Sequence, residues 1–182
     1  MNIRLLAPNM QKVLFFILLL CLPSIMLAQY DPGAINYGLV AIKSSSSVNE
    51  IGLGARIEYA GNCYTTYIGE YNRLFSVGTE EEVEGYNELA FGVNLILFNW
   101  YPTTITAGFG YIGNDADISE EIEEDALIAF RTGNFNHGAQ IKLRALHQVS
   151  VPVHIFAELN LKSLGDEFHT LLIGFSYDFD AR

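Results

Sequence analysis

From residue 35 to residue 179 apolar and polar positions alternate with a period of two, the mark of strands with two unlike faces. Residues 51–59 put Ile51, Leu53, Ala55, Ile57 and Tyr59 on one face and Gly52, Gly54, Arg56 and Glu58 on the other. Residues 87–97 set Leu89, Phe91, Val93, Leu95 and Leu97 against Glu88, Ala90, Gly92 and Asn94. Residues 105–111 oppose Ile105, Ala107, Phe109 and Tyr111 to Thr106, Gly108 and Gly110. In 135–145, Phe135, Ala139, Ile141, Leu143 and Ala145 face away from Asn136, Gly138, Gln140, Lys142 and Arg144. In 151–161, Val151, Val153, Ile155, Ala157, Leu159 and Leu161 oppose His154, Phe156, Glu158 and Asn160. The last run, 169–179, sets Leu171, Ile173, Phe175, Tyr177 and Phe179 against Thr170, Gly174, Ser176 and Asp178. Two weaker stretches, about 35–43 and 63–75, bring the predicted strands to eight.

Several runs reach ten residues or more. Ordinary strands average about 5–6 residues, whereas a tilted membrane-spanning strand needs about 9–11. The predicted links are unequal: 60–62, Asn99–Pro102 and a stretch near 146–150 are short, while 76–85 and 114–132 are long. In an up-and-down order both long links fall on one rim and both termini on the other. The expected fold is all-β, an eight-stranded antiparallel up-and-down transmembrane β-barrel.

Alternation alone also fits a soluble periplasmic, lipocalin-like carrier with its apolar face inside. The minor face favours the membrane. It mixes Gly52, Gly54, Gly92, Gly108, Gly110, Gly138 and Gly174 with a few long charged side chains, and glycine on a water-exposed strand packs nothing and costs chain entropy. Inside a narrow barrel it makes room for Arg56, Lys142, Arg144 and Lys162 to meet Glu58, Glu70, Glu88, Glu158 and Asp178. The lumen of an eight-stranded barrel is only wide enough to be filled by side chains, so the expectation is a plugged scaffold rather than an open pore. In the six clear strands the outward face carries no Lys or Arg; a base at the lipid midplane would cost roughly 2–4 kcal/mol. His137 and His169 interrupt that face near the long-link rim. Trp100, Tyr101, Tyr177 and Phe179 gather at the short-turn rim, the headgroup level that aromatic rings prefer.

The start of the chain reads as an address. Lys12 precedes the apolar run Val13–Leu22, Pro23-Ser24 follow, and Ala28 stands before Gln29. This is the pattern of a secretory signal peptide, and its apolar run is too short to span a bilayer as a helix. Residues 1–28 are assigned as signal peptide and 29–182 as the barrel domain, with Met10 an alternative start. Export by the general secretory route to the outer membrane of a Gram-negative-type envelope follows. The bulky Leu20 before Cys21 fits lipidation poorly. Cys63 alone remains after cleavage, which excludes an internal disulfide. The exported chain carries 8 bases against 21 acids, a net charge of −13 compared with −11 for all 182 residues. Such a chain is poorly suited to gripping phosphate backbones, so no direct nucleic-acid contact is expected.

Eleven of the acids sit in the two long links: Glu80, Glu81, Glu82 and Glu84, then Asp115, Asp117, Glu120, Glu121, Glu123, Glu124 and Asp125. They suit a cation-binding or partner-docking rim, or simply a solvated loop. Asp115-x-Asp117-x-Ser119 opens like a calcium loop but then places Glu120 where glycine is needed and Ala126 where the bidentate Glu belongs. The stretch Ile118–Arg131 is compatible with a short helix or with two strands extended above the membrane. A search for nucleophile, base and orienter finds little. His169 and Thr170 point to opposite faces of one strand, His137 and His169 lack a serine partner, His147 and His154 lie towards the other rim, and Glu70 and Glu88 read first as ion-pair partners. No phosphate loop, nucleophile elbow or metal-spaced cluster is present. A non-enzymatic protein without cofactor or metal is expected. Its final strand carries Gly174-x-x-Tyr177-x-Phe179, similar to the C-terminal signal of substrates of the barrel-assembly machinery, although Leu172 and the trailing Asp180-Ala181-Arg182 depart from it.

The chain resembles the TraO family of conjugative-transposon proteins. His137-Gly138-Ala139-Gln140-Ile141-Lys142-Leu143 is similar to that family's Gly-Gly-Ala strand, and Glu167-Phe168-His169-Thr170 with the following Leu-Leu-Ile-Gly to its Phe-His-Thr strand. Gln29-Tyr30-Asp31-Pro32-Gly33 resembles its mature start and Gly69-Glu70-Tyr71 its third strand, whereas the long links do not match closely. The resemblance implies an outer-membrane component of a conjugal transfer apparatus, acting by protein contact with channel subunits. A generic outer-membrane barrel serving adhesion or envelope stability is the alternative. The partners implied are outer-membrane lipid, the barrel-assembly machinery and conjugation-channel proteins.

Overall fold

The computed structural model describes residues 31–44, 50–76, 85–116, 128–164 and 168–179. The signal-peptide segment and, of the eleven link acids, all but Asp115 lie outside them. The described residues form β1 (Ile35–Ser44), β2 (Glu50–Ala60), β3 (Thr65–Ser76), β4 (Asn87–Trp100), β5 (Thr103–Asn114), β6 (Phe130–Thr132), β7 (Phe135–Ser150), β8 (Val153–Lys162) and β9 (Thr170–Asp178). Apart from the short β6, each strand pairs antiparallel with its sequence neighbour, and β5 pairs directly with β7. The β1–β9 ladder, running from Asn36↔Asp178 to Ser44↔Thr170, closes the ring. The result is the expected eight-stranded barrel with a small ninth strand added at one rim.

The two faces of this sheet settle its orientation. Leu53, Phe109, Ile141 and Ile173, on four different strands, are 67%, 61%, 63% and 62% exposed. Their strands' alternate residues are buried, among them Arg56, Glu58, Lys142, Arg144 and Thr106. Apolar groups thus cover the outside while the paired charges lie in the centre, the reverse of a barrel made for water and the arrangement of one made for hydrocarbon. A soluble carrier with a dry apolar lumen does not fit.

Three predicted links move. Asn99 and Trp100 belong to β4, and residues 146–150 belong to β7, which runs to Ser150. The turns are Tyr101-Pro102 and Val151-Pro152, each set at a proline, which has no N–H to give to a ladder. Residues 61–64 replace 60–62 as the β2–β3 turn. Two β-bulges explain the extra length, at Ile96/Phe98 in β4 and Gln148/Ser150 in β7. A bulge opposes two residues to one and re-aims the chain. Here Leu97 and Phe98 both end up exposed in succession, as does Val149, so the short-turn rim gains apolar surface.

At the opposite rim β6 pairs with Phe135–His137 of β7. The turn between them uses Gly133 at φ +61°, a left-handed conformation that glycine adopts without steric cost. Of the two forms compatible with Ile118–Arg131, its described end takes the strand form. The β3–β4 ladder also continues past β4's first residue, with Leu74 and Tyr86 exchanging backbone hydrogen bonds of 2.9 and 3.1 Å.

Candidate functional site

Among the described residues, the barrel's interior holds the densest cluster of charged side chains. Antiparallel register and the period-two pleat bring the inward residues of β2, β3 and β4 across the lumen from those of β7 and β8. Arg144 grips Glu58 bidentately, Nη1 to Oε2 at 2.8 Å and Nη2 to Oε1 at 2.7 Å. The Thr66 hydroxyl donates to the same carboxylate. Arg56 lies between Glu70 and Glu158, its Nη2 at 2.8 Å from Glu158 Oε1. Lys142 Nζ closes this group at 2.6 Å from Glu70 and 3.6 Å from Glu158. Lys162 Nζ holds Glu88 at 2.6 Å, and Asn72 Nδ2 donates to the other oxygen of Glu88 at 3.2 Å. Charges this deep persist only when paired and hydrogen-bonded.

Eight of the nine residues expected in the lumen network therefore meet in these ion pairs. The ninth, Asp178, is buried as well, opposite Asn36 on β1, and its charge acts on His154. Glu70 and Glu88, read as partners of bases, are held by different ones.

The glycines make room less directly than expected. A side chain on Gly54 would collide with Asn72, and one on Gly108 with Asn94. One on Gly174 would strike the Phe156 ring and the Leu39 carbonyl. The space freed is taken first by neutral groups, which then support the charges: Asn72 binds Glu88, and the Arg56 guanidinium lies 4.4 Å from the Phe156 ring centroid. That is cation–π range.

Two classes of lumen residue lie beyond the predicted ion-pair network. One is amide: Asn36, Asn72, Asn94, Asn114, Asn136, Asn160 and Gln140 are all buried. Asn136 Nδ2 bridges Asn114 Oδ1 and the Ala116 carbonyl, both at 2.8 Å. Their minor-face positions were the available signal. The other is apolar: Val40, Ile42, Leu74 and Leu172 pack inside, with the Tyr86 ring against Phe168. The centre is charged layers between apolar ones, not polar throughout.

The predicted rim aromatics face outward. Trp100, Tyr101, Tyr177 and Phe179 are all exposed, Trp100 stacks on Phe98 with centroids 5.5 Å apart, and Phe179 meets the edges of Tyr37 and Tyr177. Tyr59 and Tyr67 extend the ring along the β2–β3 turn. The opposite rim has aromatics of its own. His137 stacks on Phe130 with centroids 4.6 Å apart, touches Phe135, and shares a 2.7 Å hydrogen bond with the Tyr111 hydroxyl. His169 Nδ1 accepts the Lys162 backbone N–H at 3.2 Å, and His147 Nδ1 lies 2.9 Å from Thr103 Oγ1.

Asp115 closes the long-link rim. Its carboxylate accepts hydrogen bonds from the Asn87 backbone N–H at 2.5 Å and from Asn87 Nδ2 at 2.8 Å. Burial nudges the carboxyl up, but these two bonds, helped by the nearby Arg73 charge, hold it below the ordinary carboxylate range. Both oxygens of the would-be first calcium ligand are thus engaged in pinning β5 to β4.

No protein-family model matches the chain, and no curated protein matches it. Solved structures do. The N-terminal β-barrel domain of Pseudomonas aeruginosa OprF aligns with a TM-score of 0.59 at 10% identity, covering 81% of this chain and 98% of that one. The Yersinia pestis outer-membrane protein Ail in a phospholipid bilayer nanodisc gives 0.53 at 14% identity, covering 81% and 99%. Neisserial surface protein A gives 0.52 at 12% identity, covering 80% and 96%. The chain has the fold of these small outer-membrane β-barrels.

Proposed function

We propose that the protein is a non-enzymatic outer-membrane barrel, exported by the general secretory route, that serves as a rigid anchor and acts through protein contacts at its rims. The observation that carries this is the filled lumen. Arg144–Glu58, Arg56–Glu158, Lys142–Glu70 and Lys162–Glu88 cross the space that a channel would need, so the chain's work falls to its ends. The Trp100, Tyr101, Tyr177 and Phe179 girdle sets its depth in the bilayer, and Gly174 and Tyr177 on β9, with Phe179 just beyond its end, are the residues offered to the barrel-assembly machinery. The acidic links present the docking surface.

The finer reading is a component of a conjugative DNA-transfer apparatus, contacting channel subunits and not the DNA. It draws on the resemblance of residues 137–143, 167–174 and 69–71 to the TraO family and on the acidity of the exported chain. Deleting the gene in a donor strain should lower mating frequency, with crosslinks from the acidic links to channel proteins. Unchanged mating would leave the adhesion or envelope-stability alternative. The barrel itself is tested by heat-modifiable gel mobility of detergent-extracted protein: folded and boiled forms should separate, and release by osmotic shock instead would refute the anchor.

A further inference from the structure

Among the described residues of the eight barrel strands, the Lys and Arg side chains that face outward are Lys43 on β1 and Arg73 on β3. Lys43 is the penultimate residue of β1, and Arg73 lies three before the end of β3, so both stand at the long-link rim, on strands flanking β2. The register confirms their level: Lys43 lies opposite Ile51, and Arg73 opposite Leu53 and Asn87. The Arg73 guanidinium lies 5.6 Å from the Phe75 ring centroid, and its charge also acts on Asp115.

Further down the same face the outer surface is hollow. Ala55 and Gly69 are small residues between the larger Tyr37, Tyr71 and Phe91, and they leave a shallow apolar groove of about 350 Å³. It adjoins a second of about 320 Å³ that reaches Phe175 and Tyr177. A methyl group on Gly69 would make only ordinary contacts, 3.5 Å to Ile57 and 3.7 Å to Phe91. The backbone does not require glycine at this position; what glycine supplies there is depth. Gly69 lies four residues below Arg73 on β3, ~13 Å along a strand rising ~3.3 Å per residue, well within the reach of a fatty acyl chain.

We propose that the outer face of β1–β4 holds one anionic lipid, its phosphate between Lys43 and Arg73 and one acyl chain in the Ala55–Gly69 groove. The proposal rests on the membrane reading. Lipid phosphates collect at the rim where these two bases stand, and a base near an anionic membrane surface attracts them by ~1 kcal/mol. The groove then distinguishes a held lipid from a merely attracted one, because it gives the chain a seat on the same face, within an acyl chain's length of the charges.

The test uses the full exported chain in detergent micelles, with dipalmitoyl phosphatidylglycerol or phosphatidylcholine at equal mole fraction, and native mass spectrometry to count retained lipid. The wild type should retain phosphatidylglycerol over phosphatidylcholine. Lys43→Gln and Arg73→Gln should each reduce that preference, roughly fivefold per base. Gly69→Leu should weaken retention of the long-chain lipid without abolishing the preference for the anionic headgroup. Equal retention of both lipids by the wild type, or an undiminished preference in the double variant, would overturn the proposal. Competition by inorganic phosphate would assign the bases to a free anion and overturn it too. Failure of the membrane reading looks different: the chain would not enter micelles or show heat-modifiable mobility. A chain that inserts but shows no preference refutes the lipid site alone.

Discussion

The lumen and the belt are made by the same eight strands at the same depth, one residue apart, yet they follow opposite rules. On the belt, Leu53 and Ile173 need nothing from each other, since any hydrocarbon will cover them. In the lumen, Arg144 is 1% exposed and two of its guanidinium nitrogens are held by one particular carboxylate on a distant strand. The difference teaches where specificity sits. The outside tolerates any apolar residue, whereas the inside is a set of named partnerships that fail one partner at a time.

The largest expected effect comes from breaking a partnership. Arg144→Met leaves Glu58 buried without its bidentate donor, and removing one member of a buried pair costs ~3–5 kcal/mol. Urea unfolding from phospholipid vesicles measures it; a loss below ~1 kcal/mol would mean that the lumen is not sealed. Next is the belt. Ile173→Lys puts an ammonium in the lipid and should cost ~2–4 kcal/mol, while Phe179→Lys at the short-turn rim should cost ~0–1. Equal costs at the two depths would contradict the transmembrane placement. A smaller effect sharpens the contrast. Replacing both Lys162 and Glu88, as Lys162→Met with Glu88→Leu, should come within ~1 kcal/mol of the wild type although either single change is damaging, because a buried pair often exchanges for apolar groups at little cost. A double-mutant cycle in the same assay reads the coupling.

The smallest effect lies outside both regions. With its carboxyl below the ordinary range, Asp115 stabilises the rim at pH values above its unfolded value. That contribution falls away as pH drops through the lower folded value. The protection factor of the Asn87 amide, its exchange rate corrected for the intrinsic slowing in acid, should therefore fall on acidification, and Asp115→Asn should show the lower protection at neutral pH with little further change.

Much of this was legible in advance, for a simple reason. Where the lumen side of a strand is polar, as in β2, β7 and β8, the period-two signal is clean. It fades in β1 and β3, because Val40, Ile42, Ile68 and Leu74 turn inward there and leave both faces apolar. The bulges were hidden because Leu97-Phe98 and Val149 read as ordinary apolar positions, and only the register shows that each strand has one residue too many. β6 is three residues long, too short to show any period. That the lumen acids and bases would meet could be read from their shared face. Which would meet which could not, since Arg56 and Glu158 are brought together by closure of the ring and not by nearness in the chain.

The lumen ties also divide the barrel electrically. Among the eight ion-paired residues, β2–β4 contribute Arg56 against Glu58, Glu70 and Glu88, a sum of −2, and β7–β8 contribute Lys142, Arg144 and Lys162 against Glu158, a sum of +2. Each set alone is unbalanced, and within these ion pairs the two cancel. The first four strands alone would leave buried acids without their bases, and unpaired charge is costly in hydrocarbon, so the electrostatic balance of the lumen is complete only in the closed ring.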